Sequence, residues 1–150
     1  MRNIKKLLTI FAIFSTFCVL LTSCYSLPSE VPEELTPDQI INDAIAFSDD
    51  NNPVAAQLYY EALLDRYGTD NNYRVIGQYE IGHLLVKQGR YAEALPHLND
   101  VILTFENDYY GSIPAKYLVL AQNDIERAKA KGTTENTEEE IIEEDEEEEY

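Results

Sequence analysis

Between residues 38 and 131 the apolar positions fall three and four apart, the spacing of one helix face, and no stretch alternates long enough to make a strand. Five helices are predicted. Thr36-Pro37-Asp38 supplies an N-cap, a first-turn proline and an acid near the positive helix end. The first helix is therefore placed at roughly 38–49, with Ile40, Ile41, Ala44, Ile45 and Phe47 as its apolar set. Asp50-Asn51-Asn52 turns the chain, and Pro53 starts a second helix that runs to Tyr67, where Gly68 ends it. A third helix at roughly 73–88 and a fourth at roughly 91–105 are joined by Gly89-Arg90, and a fifth at roughly 113–131 closes the run.

The pattern repeats. At an offset of 38 residues Ala56 pairs with Ala94, Tyr60 with Leu98, Leu63 with Val101, Tyr67 with Phe105 and Asp70 with Asp108. Ile41 pairs with Tyr79, Ala44 with Gly82 and Tyr79 with Tyr117 at the same offset. Within the second unit Ile81-Gly82, Leu85, Gly89, Tyr91, Ala94, Leu98 and Val101 resemble, in order, the consensus of the tetratricopeptide repeat. The first unit matches through Ala44, Phe47, Ala56, Tyr60 and Leu63, with Asp43 in place of the consensus leucine. The resemblance implies an all-α tetratricopeptide-repeat α-solenoid over 37–131, two helix-turn-helix repeats plus a closing helix. The family unit is about 34 residues, so four extra residues are expected near 69–72 and 106–109, and Glu106 stands where the family has proline. Ala44, Ala56, Gly82 and Ala94 are the small residues at which helices should approach closely.

In this family the first helix of each unit lines a concave groove. Carried over position by position, that gives Ile41, Ile45 and Ser48 from the first unit and Ile76, Tyr79, His83 and Val86 from the second, with Lys87 at the margin. Tyr117 and Ala121 of the closing helix would join them. Apolar walls with Tyr and His suit an extended or helical peptide; the alternative is that these side chains are core. Family members that clamp a terminal carboxylate use Lys and Asn at places held here by Ile41, Ile45, Tyr79 and His83, so that chemistry is not expected.

The two ends of the chain stand apart from the repeat. Arg2, Lys5 and Lys6 precede the apolar stretch Leu7–Leu21, whose length of about 15 fits the core of a secretion signal and is short for a membrane span of about 20. Leu21-Thr22-Ser23-Cys24 resembles the bacterial lipobox. The resemblance implies a signal peptide over 1–23, cleavage before Cys24 and a lipid on its sulfur, with palmitate as a marker of acylation. Cys18 would leave with the signal, so one thiol would remain and lipidation would account for it. Residues 24–36, with Pro28 and Pro32 and several Ser and Glu, read as a lipidated tether. Tyr25 rather than Asp after the cysteine points, by resemblance to the enteric sorting rule, to the outer membrane facing the periplasm.

Charge narrows the function further. Lys plus Arg number 11 against 28 Asp plus Glu, a net charge of −17, which argues against a nucleic-acid partner. Eleven of the acids lie in 132–150 with no base, which reads as a disordered acidic tail, either a steering element or a solubilising brush. No catalytic residue is proposed: His83 and His97 lie on different helices, and no nucleophile and base fall at recognisable spacing. No metal or cofactor is expected, because Asp49–Asn52 and Asp70–Asn72 lack the glycine and glutamate of a calcium loop. The expectation is a non-enzymatic scaffold in the cell envelope, in outer-membrane assembly or envelope organisation, whose partner is an envelope protein or peptide. A self-associating structural lipoprotein, a homodimer for example, and a tethered subunit of a transporter are the alternatives.

Overall fold

The computed structural model describes residues 30–108, 111 and 113–147, with side chains as far as residue 132. The signal peptide and Cys24 lie outside the described residues. Among those described the chain is all-α: α1 (Pro37–Asp49), α2 (Pro53–Tyr67), α3 (Asn71–Lys87), α4 (Tyr91–Glu106) and α5 (Lys116–Glu147). Each helix packs on the next, and α5 also packs on α3, as in a stack of helical hairpins.

The starts and turns follow from local chemistry. Thr36 caps α1 in a capping box: its hydroxyl accepts from the Gln39 N–H at 3.4 Å, and its own N–H donates to Gln39 Oε1 at 2.9 Å. Asn52 caps α2 by accepting from the Ala55 N–H at 3.1 Å. Asp70 caps α3 by accepting from the Asn72 N–H at 2.8 Å, so α3 begins two residues before the expected Tyr73 and absorbs part of the insertion.

The repeat is visible in the backbone itself. In the first hairpin turn the Asn51 N–H donates to the Ser48 carbonyl at 3.1 Å and the Asn52 N–H to that of Phe47 at 2.8 Å. Thirty-eight residues later Gly89 donates to Val86 at 3.1 Å and Arg90 to Leu85 at 2.9 Å. Both turns are thus Schellman motifs. The pivot residues, also 38 apart, both lie in the left-handed region, Asn51 at φ 56° and Gly89 at φ 77°. At the ends of the two units the Asp70 N–H donates to the Tyr67 carbonyl and the Asp108 N–H to that of Phe105, again 38 apart.

Packing keeps the same period. Ala44 and Gly82, Ala56 and Ala94, Tyr60 and Leu98, and Leu63 and Val101 are all buried, the small members where helices meet and the large ones beside them. A methyl group on Gly82 would lie 2.7 Å from Cγ and Cδ2 of Leu98, so this glycine sets how closely α3 and α4 approach. Gly77, absent from the predicted packing set, does the same between α2 and α3, where a methyl would lie 2.7 Å from Leu64 Cδ2.

Two expectations about the ends are corrected. Residues 31–35 of the tether are part of the fold: Val31 is buried, and Arg66 donates from Nη2 to the Val31 carbonyl at 2.6 Å and from Nη1 to that of Pro32 at 2.7 Å. Tyr67 Oη donates to the Leu35 carbonyl at 3.2 Å, so the segment is strapped across the end of α2. At the other end no helix boundary falls at 131/132, because α5 continues to Glu147. Glu is a good helix former and one interior glycine costs only about 1 kcal/mol, so the apolar stripe stops before the helix does. Among the described residues no helix is long and apolar enough to cross a membrane.

Candidate functional site

The face expected to form the groove is built from α3 and α5, which pack on each other. Tyr79, at the centre of α3, is only 6% exposed. Its ring stacks on His83, one turn on, with centroids 5.6 Å apart, and meets Tyr117 of α5 at 5.5 Å in a tilted pair. Val86 and Ala121 are also buried. Tyr79, Val86 and Ala121 are therefore interior residues and not groove lining, because α5 lies across the second half of the surface. Ala121, Ile125 and Ala128 form the stripe by which α5 seats.

The other predicted positions divide by helix. Ile41, Ile76 and Tyr117 are partly buried and pack on the core, whereas Ile45 on α1 is 45% exposed. His83 keeps about a third of its side chain exposed, at 32%, and donates from Nδ1 to Asp124 Oδ2 at 2.7 Å. Asp124 is 4% exposed and is also met by Arg127 Nη1 at 3.2 Å on its other oxygen, so a buried acid is held between two donors. Asp124 and Arg127 were not among the predicted site residues. The available signal was an acid one turn from Ala121 and Ala128 on the buried stripe of α5.

Electrostatically the face is mixed. Burial raises the Glu80 carboxyl above its ordinary value of 4.5, with His83, Lys116 and Lys87 pulling the other way. Burial also raises the Tyr60 and Tyr79 phenols, helped by Glu80 for Tyr60 and by Asp124 for Tyr79, so both stay protonated as hydrogen-bond donors. Lys116 Nζ sits 4.7 Å above the Tyr117 ring. On the opposite side of α3, His97 of α4 donates from Nδ1 to Gln78 Oε1 at 2.6 Å, and burial lowers its imidazole. The His97–Gln78 bond ties α4 to α3, as the His83–Asp124 bond ties α3 to α5. Among the described residues no three His, Cys, Asp or Glu side chains are grouped to hold a metal ion.

The chain is 31% identical over 111 residues to an uncharacterized protein of Treponema pallidum (strain Nichols), an alignment covering 73% of this chain and 44% of that protein. It therefore spans less than half the length of this relative. No protein-family model matches the chain, and no solved structure matches it.

Proposed function

We propose that this protein is a lipid-anchored scaffold of the bacterial cell envelope, without enzymatic activity of its own, that docks a protein or peptide on stacked tetratricopeptide-like hairpins. The observation that carries it is the 38-residue recurrence of both turn geometry and buried positions. Hairpins stacked in this way offer extended side-chain faces, and the pairs His83–Asp124, His97–Gln78 and Arg74–Asp100 bind helix to helix rather than converging on one cleft. The anchor rests on the lipobox-like Leu21–Cys24, and the outer-membrane location on Tyr25. A short strap from residue 31 onward would then hold the end of α2 nearest the lipid.

Metabolic labelling with palmitate tests the anchor: the natural chain is expected to incorporate label and Cys24→Ser to lose it. Label persisting in Cys24→Ser would refute it. A second reading, self-association, draws on Val119 and Leu120, two large apolar side chains exposed next to one another on α5.

A further inference from the structure

The outward face of α2 carries two neighbouring rows of side chains. Val54, Leu58 and Ala62 form an apolar row, one turn apart each, and Gln57, Glu61 and Asp65 form a polar row beside it. These rows line a surface groove in two joined parts. One part, of about 480 Å³, lies between α2 and the strap, with Val31, Leu58 and Ala62 as its floor. The other, of about 230 Å³, continues from Leu58 and Glu61 past Val54 to the turn between α3 and α4. Val54 is 59% exposed, so an apolar side chain stands open in the groove.

The rim is acidic. Glu30, Glu33, Glu61 and Asp65 border the groove, and among the described residues none of them forms an ion pair; Glu61 accepts from the Gln57 amide at 2.8 Å and acts electrostatically on His97. The two cations nearby are engaged, Arg66 with the Val31 and Pro32 carbonyls and Arg90 with Glu93. An apolar floor under unpaired carboxylates favours a basic occupant. Residues 25–29 and 132–150 hold no Lys or Arg, and Arg2, Lys5 and Lys6 belong to the expected signal. A second copy would bring a net charge of −17 against the same rim.

We propose that the α2 groove docks a basic, apolar segment of another protein. From Val54 to Asp65 the groove is about 17 Å long, the span of a helix of about three turns. Its leucine-sized side chains would lie over Val54, Leu58 and Ala62 and its Lys or Arg against Glu61, Asp65 and the Glu30–Glu33 rim. The surface is separate from the α3–α5 face and independent of the anchor, so loss of the palmitate result would leave it intact.

Fluorescence anisotropy of the full chain with a labelled three-turn peptide of Leu and Arg, and with a twin carrying Glu for Arg, tests the assignment. The Arg peptide is expected to bind and the Glu twin not to. Val54→Arg and the pair Glu61→Gln/Asp65→Asn are each expected to weaken binding about tenfold or more with an unchanged urea midpoint, since the three side chains are on the surface. Equal affinity in all variants would place the peptide on the acidic tail and overturn the proposal, as would the absence of binding.

Discussion

The close approach of α3 and α4 can be inverted by a single pair of substitutions. In Gly82→Ala the new methyl would sit 2.7 Å from two carbons of Leu98, about 1 Å inside ordinary contact. Leu98 is fully buried, so its side chain must shift within the core to admit the methyl. Overpacking of this kind costs about 1–3 kcal/mol, while replacing a mid-helix glycine by alanine returns about 1 kcal/mol, so the net expected effect is a destabilisation of about 0–2 kcal/mol. Leu98→Ala alone removes both contacting carbons and is expected to cost about 2–5 kcal/mol. With Leu98 already truncated, Gly82→Ala has no clash and keeps its helical gain, so there it should stabilise by about 1 kcal/mol. Urea unfolding followed by far-UV circular dichroism, on the natural chain, both single variants and the double, measures the coupling. A Gly82→Ala effect equal in the two backgrounds, within about 0.5 kcal/mol, would refute the contact and with it the register in which α4 lies on α3.

Two further outcomes follow from the turns and from the α3 face. Gly89→Ala places a Cβ in a left-handed position and should cost about 1–2 kcal/mol, whereas Asn51→Gly, at the equivalent pivot, should be neutral or stabilising; a loss at both on urea titration would contradict the shared turn geometry. Burial raises the folded carboxyl of Glu80 above 4.5, so the unfolded chain releases this proton first and stability is lost as pH rises from 4.5 through the folded value. Glu80→Gln should therefore raise the urea midpoint at pH 7, with the gain fading towards pH 4.5; a lowered midpoint at pH 7 would mean that pairing with His83 and Lys116 outweighs burial.

What could be read from the chain was whatever depends on near neighbours. Helix starts at Thr36-Pro37 and Asn52-Pro53 and the glycine at 89 each act within a turn or two of helix, while the small residues Ala44, Ala56, Gly82 and Ala94, which are buried, were marked by their recurrence. The period of 38 multiplied that local signal, since each half of the repeat tested the other. Gly77 escaped because its partner, Leu64, is on the preceding helix and Gln39, 38 residues before it, is not small, although Ala115 lies 38 residues on. The strap escaped for a similar reason: prolines and acids at 28–34 look like a spacer, while Arg66 and Tyr67, more than thirty residues on, hold it down together with the burial of Val31.

The predicted groove was less legible, because whether a repeat face is open depends on what the next helix does. Tyr79 and Val86 occupy the positions that a longer array leaves free, but here α5 follows directly and lies on α3, and the rings of Tyr79 and Tyr117 close against each other. A side chain on that face cannot be both packing and docking surface. With the His83–Asp124–Arg127 cluster joining α5 to α3, the large apolar side chains left open are Ile45 on α1, Val54 on α2, Leu103 on α4, and Val119 and Leu120 on α5. Among the described residues, the packing of α5 on α3 closes that face, while the acidic groove along α2 stays uncovered.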